Sequence, residues 1–129
     1  MAEEIIEKIK EFFITKNADF DVGQPIETED NTTLVEIKFR EPIELTKEQY
    51  DALYDFLKDL GFYSMNGAEN KVNDFIGYKS WVGSEEFEND DGDKVFVYYT
   101  KVSTGGETTY FIKKIEVEGN IQKYVNGLF

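Results

Sequence analysis

The sequence predicts a single α+β domain with its helices packed on an antiparallel sheet, and three observations carry that expectation. The run Lys94–Val117 is dense in β-branched and aromatic residues and is broken once, by Gly105-Gly106. Such residues favour a pleated surface, and a Gly-Gly pair supplies the positive φ angles of a two-residue hairpin turn. Two other stretches, 3–16 and 46–60, repeat apolar residues at three- and four-residue spacing, as helices buried on one side do. The whole chain then reads as helix, β-hairpin, helix, three-stranded antiparallel meander and short C-terminal helix, an order that suits helices laid on antiparallel sheet. At 129 residues it fits one domain, 1–129.

The first helix places Ile5, Ile6, Ile9, Phe12 and Phe13 on one side and Glu3, Glu4, Glu7 and Glu11 on the other. Asp19–Glu27 follows as a short strand, with Gly23 and Pro25 marking it as an edge. Thr32–Glu41 alternates Val35, Ile37 and Phe39 with Glu36, Lys38 and Arg40, the pattern of a half-buried strand. Thr46 and Gln49 form a capping box in which hydroxyl and amide each satisfy a free backbone N–H at a helix start. Tyr50, Leu53, Tyr54, Leu57 and Leu60 make the apolar face of that helix, and Gly61 stands where a left-handed C-terminal cap belongs. Residues 63–74 read as polar and turn-rich, Phe75–Val82 as a strand, and Glu85–Asp93 as an acidic hairpin loop. Asn120–Phe129 suits a short terminal helix capped by Asn120 and ended by Gly127.

Counting outward from Thr104 and Glu107 sets the register expected of the central hairpin. Val102 faces Thr109, Thr100 faces Phe111, Tyr98 faces Lys113 and Phe96 faces Ile115. The face with Phe96, Tyr98, Val102, Phe111, Ile115 and Val117 reads as core. The opposite face, with Val95, Val97, Tyr99, Tyr110 and Ile112, is then either covered by a helix or left as an aromatic surface.

Composition narrows the chemistry. There is no cysteine and no histidine, so Ser-His-Asp and Cys-His catalysis and thiolate zinc sites are ruled out. Arg40 is the only arginine, and no phosphate loop or dinucleotide fingerprint occurs. The loop NDDGD suggests calcium, but with Gly92 at the sixth position an EF-hand would need oxygen ligands at Phe87 and Tyr98. That motif fails, and no metal or cofactor is expected. Paired carboxylates carry little signal for glycoside hydrolysis among 27 acids. A non-enzymatic role is the expectation. The N-terminus lacks the uninterrupted apolar core of a signal peptide, and no run approaches the length of a membrane span, so a cytoplasmic location is expected.

Charge points to the partner. The net formal charge is −13, and residues 1–93 hold 24 acids against 9 bases while 94–129 hold 3 against 5. Nucleic acid and anionic membrane would be repelled, whereas a basic protein would be attracted. Glu48, Asp51, Asp55 and Asp59 form an acidic row along the second helix, and Glu85, Glu86, Glu88, Asp90, Asp91 and Asp93 cluster in the loop. Carboxylates on successive helical turns match the scale of phosphate spacing. In size, acidity and lack of Cys and His, the chain resembles phage anti-CRISPR and anti-restriction inhibitors and the immunity proteins of nuclease toxins. That resemblance implies a mimic of nucleic acid occupying the basic groove of a nucleic-acid-binding enzyme. The alternative is an interaction module that binds through the aromatic hairpin face, Tyr99 and Tyr110, with charge serving only solubility.

Overall fold

The computed structural model describes residues 2–120. Two helices, α1 (Ala2–Ile14) and α2 (Lys47–Asp59), lie on one face of a seven-stranded antiparallel sheet. Its strands are β1 (Phe20–Val22), β2 (Ile26–Glu27), β3 (Thr33–Thr46), β4 (Tyr63–Phe75), β5 (Tyr78–Glu88), β6 (Lys94–Thr104) and β7 (Glu107–Gly119). The order across the sheet is β1-β3-β7-β6-β5-β4, with β2 also pairing with β3. The α+β class is as expected. The terminal helix expected over Asn120–Phe129 falls almost entirely outside the described residues. No helix among them is long and apolar enough to cross a membrane.

The second helix follows its local signals closely. The Thr46 side chain accepts from the Gln49 N–H at 3.1 Å, and the Gln49 side chain accepts from the Thr46 N–H at 2.9 Å. At the other end Gly61 takes φ +96°. The Phe62 N–H reaches the Leu57 carbonyl and the Gly61 N–H the Lys58 carbonyl, which satisfies both as a Schellman cap. Phe62 folds under the last turn and is buried.

Several expectations are corrected by the sheet. Residues 63–74 are a long edge strand, not a turn, and the hairpin turn lies at Ile76-Gly77, inside the stretch read as one strand. Glu85, Glu86 and Glu88 belong to β5, so the acidic loop shrinks to 89–93. The first β segment is split into β1 and β2, both pairing with β3, which itself runs on to Thr46 through an irregularity between Lys38 and Ile43. Glu3, expected on the polar side of α1, is buried.

The central hairpin turns at Gly105-Gly106 and keeps its expected register as far as Tyr99 opposite Ile112. Beyond that Lys113 is an extra residue: Tyr98 pairs with Lys114, Val97 with Ile115 and Phe96 with Glu116. A bulge places two residues of one strand against one of its partner, so every side chain past it changes face relative to simple alternation. The expected core face therefore holds only at Ile115 and Val117, while Phe96, Tyr98, Val102 and Phe111 lie outside the core. Val95, Val97 and Tyr99 face the helices together with Tyr110 and Ile112, and the bulge brings Ile115 and Val117 to the same side. Phe96, Tyr98 and Phe111 are half-buried on the open face. The core is completed by Val35, Ile37, Phe39 and Leu45 from β3, Phe87 from β5 and the apolar stripes of both helices. Phe13 packs on Phe39 at 4.7 Å between ring centroids, and Phe12 meets Phe56 at 4.7 Å to join the two helices.

Candidate protein-binding surface

Glu48, Asp51, Asp55 and Asp59 all lie on the exposed face of α2, away from Tyr50, Leu53 and Leu57, which anchor the helix in the core. Only Asp51 has a close cation, Lys47 Nζ at 3.0 Å one turn earlier. The capped ends hold the row rigid. Two residues beyond the cap, Tyr63 pairs with Glu88, which immediately precedes the 89–93 turn. The far end of the α2 row therefore runs toward the end of the sheet where Asp90 and Asp91 are exposed.

The other sequence-selected acids do different work. Glu85 is half-buried on the helix side and accepts from Tyr50 Oη at 2.7 Å and Ser64 Oγ at 2.7 Å, tying α2 to the β4–β5 hairpin. Asp93 is buried and holds the turn: its backbone N–H donates to Asn89 Oδ1 at 2.8 Å, and its carboxylate accepts from Asn89 Nδ2 at 3.1 Å. Glu86 and Glu88 alternate onto the open face, so the sheet separates them from the helical row. The ten acids form no single patch. Six of them, Glu48, Asp51, Asp55, Asp59, Asp90 and Asp91, are exposed. No grouping of carboxylates among the described residues has the arrangement to hold a metal ion.

Tyr99 and Tyr110 are corrected as contact residues, because both are in the core. Tyr110 stacks on Tyr50 at 4.0 Å with the rings 10° apart, and Tyr99 meets both edge-on at 5.3 and 5.8 Å. The Tyr99 hydroxyl donates to Glu69 Oε1 at 2.7 Å, and Lys101 Nζ reaches the same carboxylate at 2.8 Å. Burial raises the phenol pKa of Tyr50, Tyr99 and Tyr110 above the ordinary value, and the neighbouring carboxylates of Glu85 and Glu69 raise the first two further. Burial also pushes the Glu69 carboxyl up, but hydrogen bonds from Lys101 and Tyr99 outweigh it and leave the group below the usual range.

Two features escaped the sequence reading. The open face carries a half-buried network in which Lys114 Nζ bonds Glu36 at 3.0 Å and Glu116 at 3.4 Å, while the Tyr98 hydroxyl donates to Glu116 at 2.6 Å. It borders a cavity of about 330 Å³ that Lys38, Lys113 and Val82 also line. The second feature is the β4–β5 hairpin, where Met65, Val72, Phe75 and Ile76 project into solvent. The only sequence signal for it was scattered apolar residues in an otherwise polar run. Comparisons with protein-family models, curated proteins and solved structures find no match for the chain.

Proposed function

We propose that the protein is a non-enzymatic binding domain that engages a basic protein surface through the outer face of α2, extended by Asp90 and Asp91. The partner surface is one that otherwise binds nucleic acid, so the protein acts as an inhibitor by occupancy. One observation carries this reading: four exposed carboxylates stand one turn apart on a helix capped at both ends, with one close cation among them. Successive turns rise about 5.4 Å, which repeats negative charge on the scale of a phosphate backbone. The row is preorganised, so little conformational freedom is lost when it docks. The rival contact through Tyr99 and Tyr110 loses its support because both rings are spent on the core.

Competition tests the reading. A partner captured from lysate at low salt is mixed with labelled duplex DNA or structured RNA, and the protein is titrated in. A mimic displaces the nucleic acid, and the Asp51→Lys/Asp55→Lys/Asp59→Lys variant does so at least tenfold less well. A ternary complex holding both protein and nucleic acid would overturn the proposal.

A further inference from the structure

The sheet ends at β4, whose outer backbone edge pairs with no described strand. Long open edges template the addition of another strand. Seven of the nine large hydrophobic residues exposed among the described residues lie in the β4–β5 hairpin, Met65, Val72, Phe75 and Ile76 most prominently. Charge sets the stretch 63–82 of that hairpin apart, short of Glu85, Glu86 and Glu88 that close β5. Residues 63–82 hold two acids, Glu69 and Asp74, and two lysines, Lys71 and Lys79, so the segment is neutral in a chain of net charge −13. A second copy approaching here avoids the repulsion it would meet at the helical face.

We infer that β4 is a self-association edge, pairing antiparallel with β4 of a second copy about a two-fold axis at Asn70. Symmetry and charge select that register. Paired residues in an antiparallel sheet point to the same side, and alternation along the strand then requires that the axis pass through a residue pair of one kind. An axis at Glu69 sets Glu69 against Glu69, and an axis at Lys71 sets Lys71 against Lys71; directly opposed like charges are destabilising. An axis at Asn70 sets Glu69 opposite Lys71 twice, on the side where Glu69 already meets Lys101. It also brings Val72, exposed at the bulge that ends the run, beside Ala68 of the second copy twice.

The fold limits the assembly to a pair. Irregularities of the β4–β5 pairing next to Met65 and Val72 confine the regular edge to a short run, and such bulges end strand addition. The opposite edge of the sheet carries only the short strands β1 and β2, three and two residues long, beside β3. An isologous contact of this kind closes on itself instead of propagating. It leaves both acidic helical faces on the same side of one continuous sheet. The inference stands or falls independently of what those faces bind.

Sedimentation equilibrium of the full chain, over about a hundred-fold range of concentration at physiological salt, tests it. The wild type should shift from monomer to dimer mass as concentration rises. Lys71→Glu should remain monomeric with an unchanged circular-dichroism spectrum, and so should Val72→Lys, which changes an exposed side chain. Mixing Lys71→Glu with Glu69→Lys should restore a heterodimer, because each copy then opposes the other with complementary charge. A wild type that stays monomeric throughout, or a dimer that Lys71→Glu leaves intact, would overturn the inference.

Discussion

At the scale of single residues, one lysine decides how the far half of β7 meets the core. Lys113 looks like an ordinary strand residue, and nothing in its identity shows that it is the bulged position that turns Ile115 and Val117 back to the core. Both faces of β6 carry apolar side chains, so alternation alone did not choose between them. The outcome is testable by ranking two neighbours. Tyr110→Ala should destabilise by about 3–5 kcal/mol, the usual cost of deleting a buried ring. Phe111→Ala, on the open face, should cost only about 1 kcal/mol. Urea midpoints in the reverse order would place the helices on the wrong side. Gly83 offers a second check, because a Cβ there would lie 2.9 Å from the Ala68 carbonyl, the Glu69 side chain and the Tyr99 ring. Gly83→Ala should therefore destabilise by about 1–3 kcal/mol, as overpacking does, and near-neutral behaviour would contradict that packing.

At the scale of elements, legibility tracks how local the signal is. The α2 cap residues, apolar face and terminating glycine all act within a few residues, and each reappears in the structure where its chemistry required it. Thr46→Ala should thus cost about 1 kcal/mol through loss of the cap, measurable as a fall in urea midpoint without loss of helical signal in the fold that remains. β4 is the contrary case. Its residues are mostly exposed, and Asn66-Gly67 and Asn73-Asp74 are turn formers by propensity. It is a strand because β5 supplies a paired backbone edge, a non-local cause with no trace in the segment itself. The candidate surface divides along the same line. The α2 row could be read from helical periodicity, whereas the structural duties of Glu85 and Asp93 depend on Tyr50, Ser64 and Asn89 lying beside them.

For the molecule as a whole, the buried tyrosines set the pH behaviour. Tyr50, Tyr98 and Tyr99 all titrate above an unfolded phenol, chiefly because burial disfavours the phenolate and next because each hydroxyl lies against a carboxylate. A folded pKa above the unfolded one means stability that is present below about pH 10 and is lost as pH rises past it. With no histidine or cysteine in the chain, no side chain ordinarily titrates between the carboxylates and that limit. Urea midpoints should therefore be flat from about pH 6 to 9 and fall above pH 10, together with the rise in tyrosinate absorbance. Absorbance rising fully while the midpoint holds would mean the rings are not buried as described. The same molecule is strongly acidic on its helical side and close to neutral at its β4 edge, and the functional account rests on the acidic side. The most direct test of that account is the association rate with the captured basic partner at two salt concentrations. Exposed charges are screened beyond about 8–10 Å at physiological ionic strength. The wild-type rate should fall steeply with salt, and Asp51→Lys/Asp55→Lys/Asp59→Lys should slow association and flatten that dependence while the fold persists. An association rate indifferent to both salt and charge reversal would contradict the account.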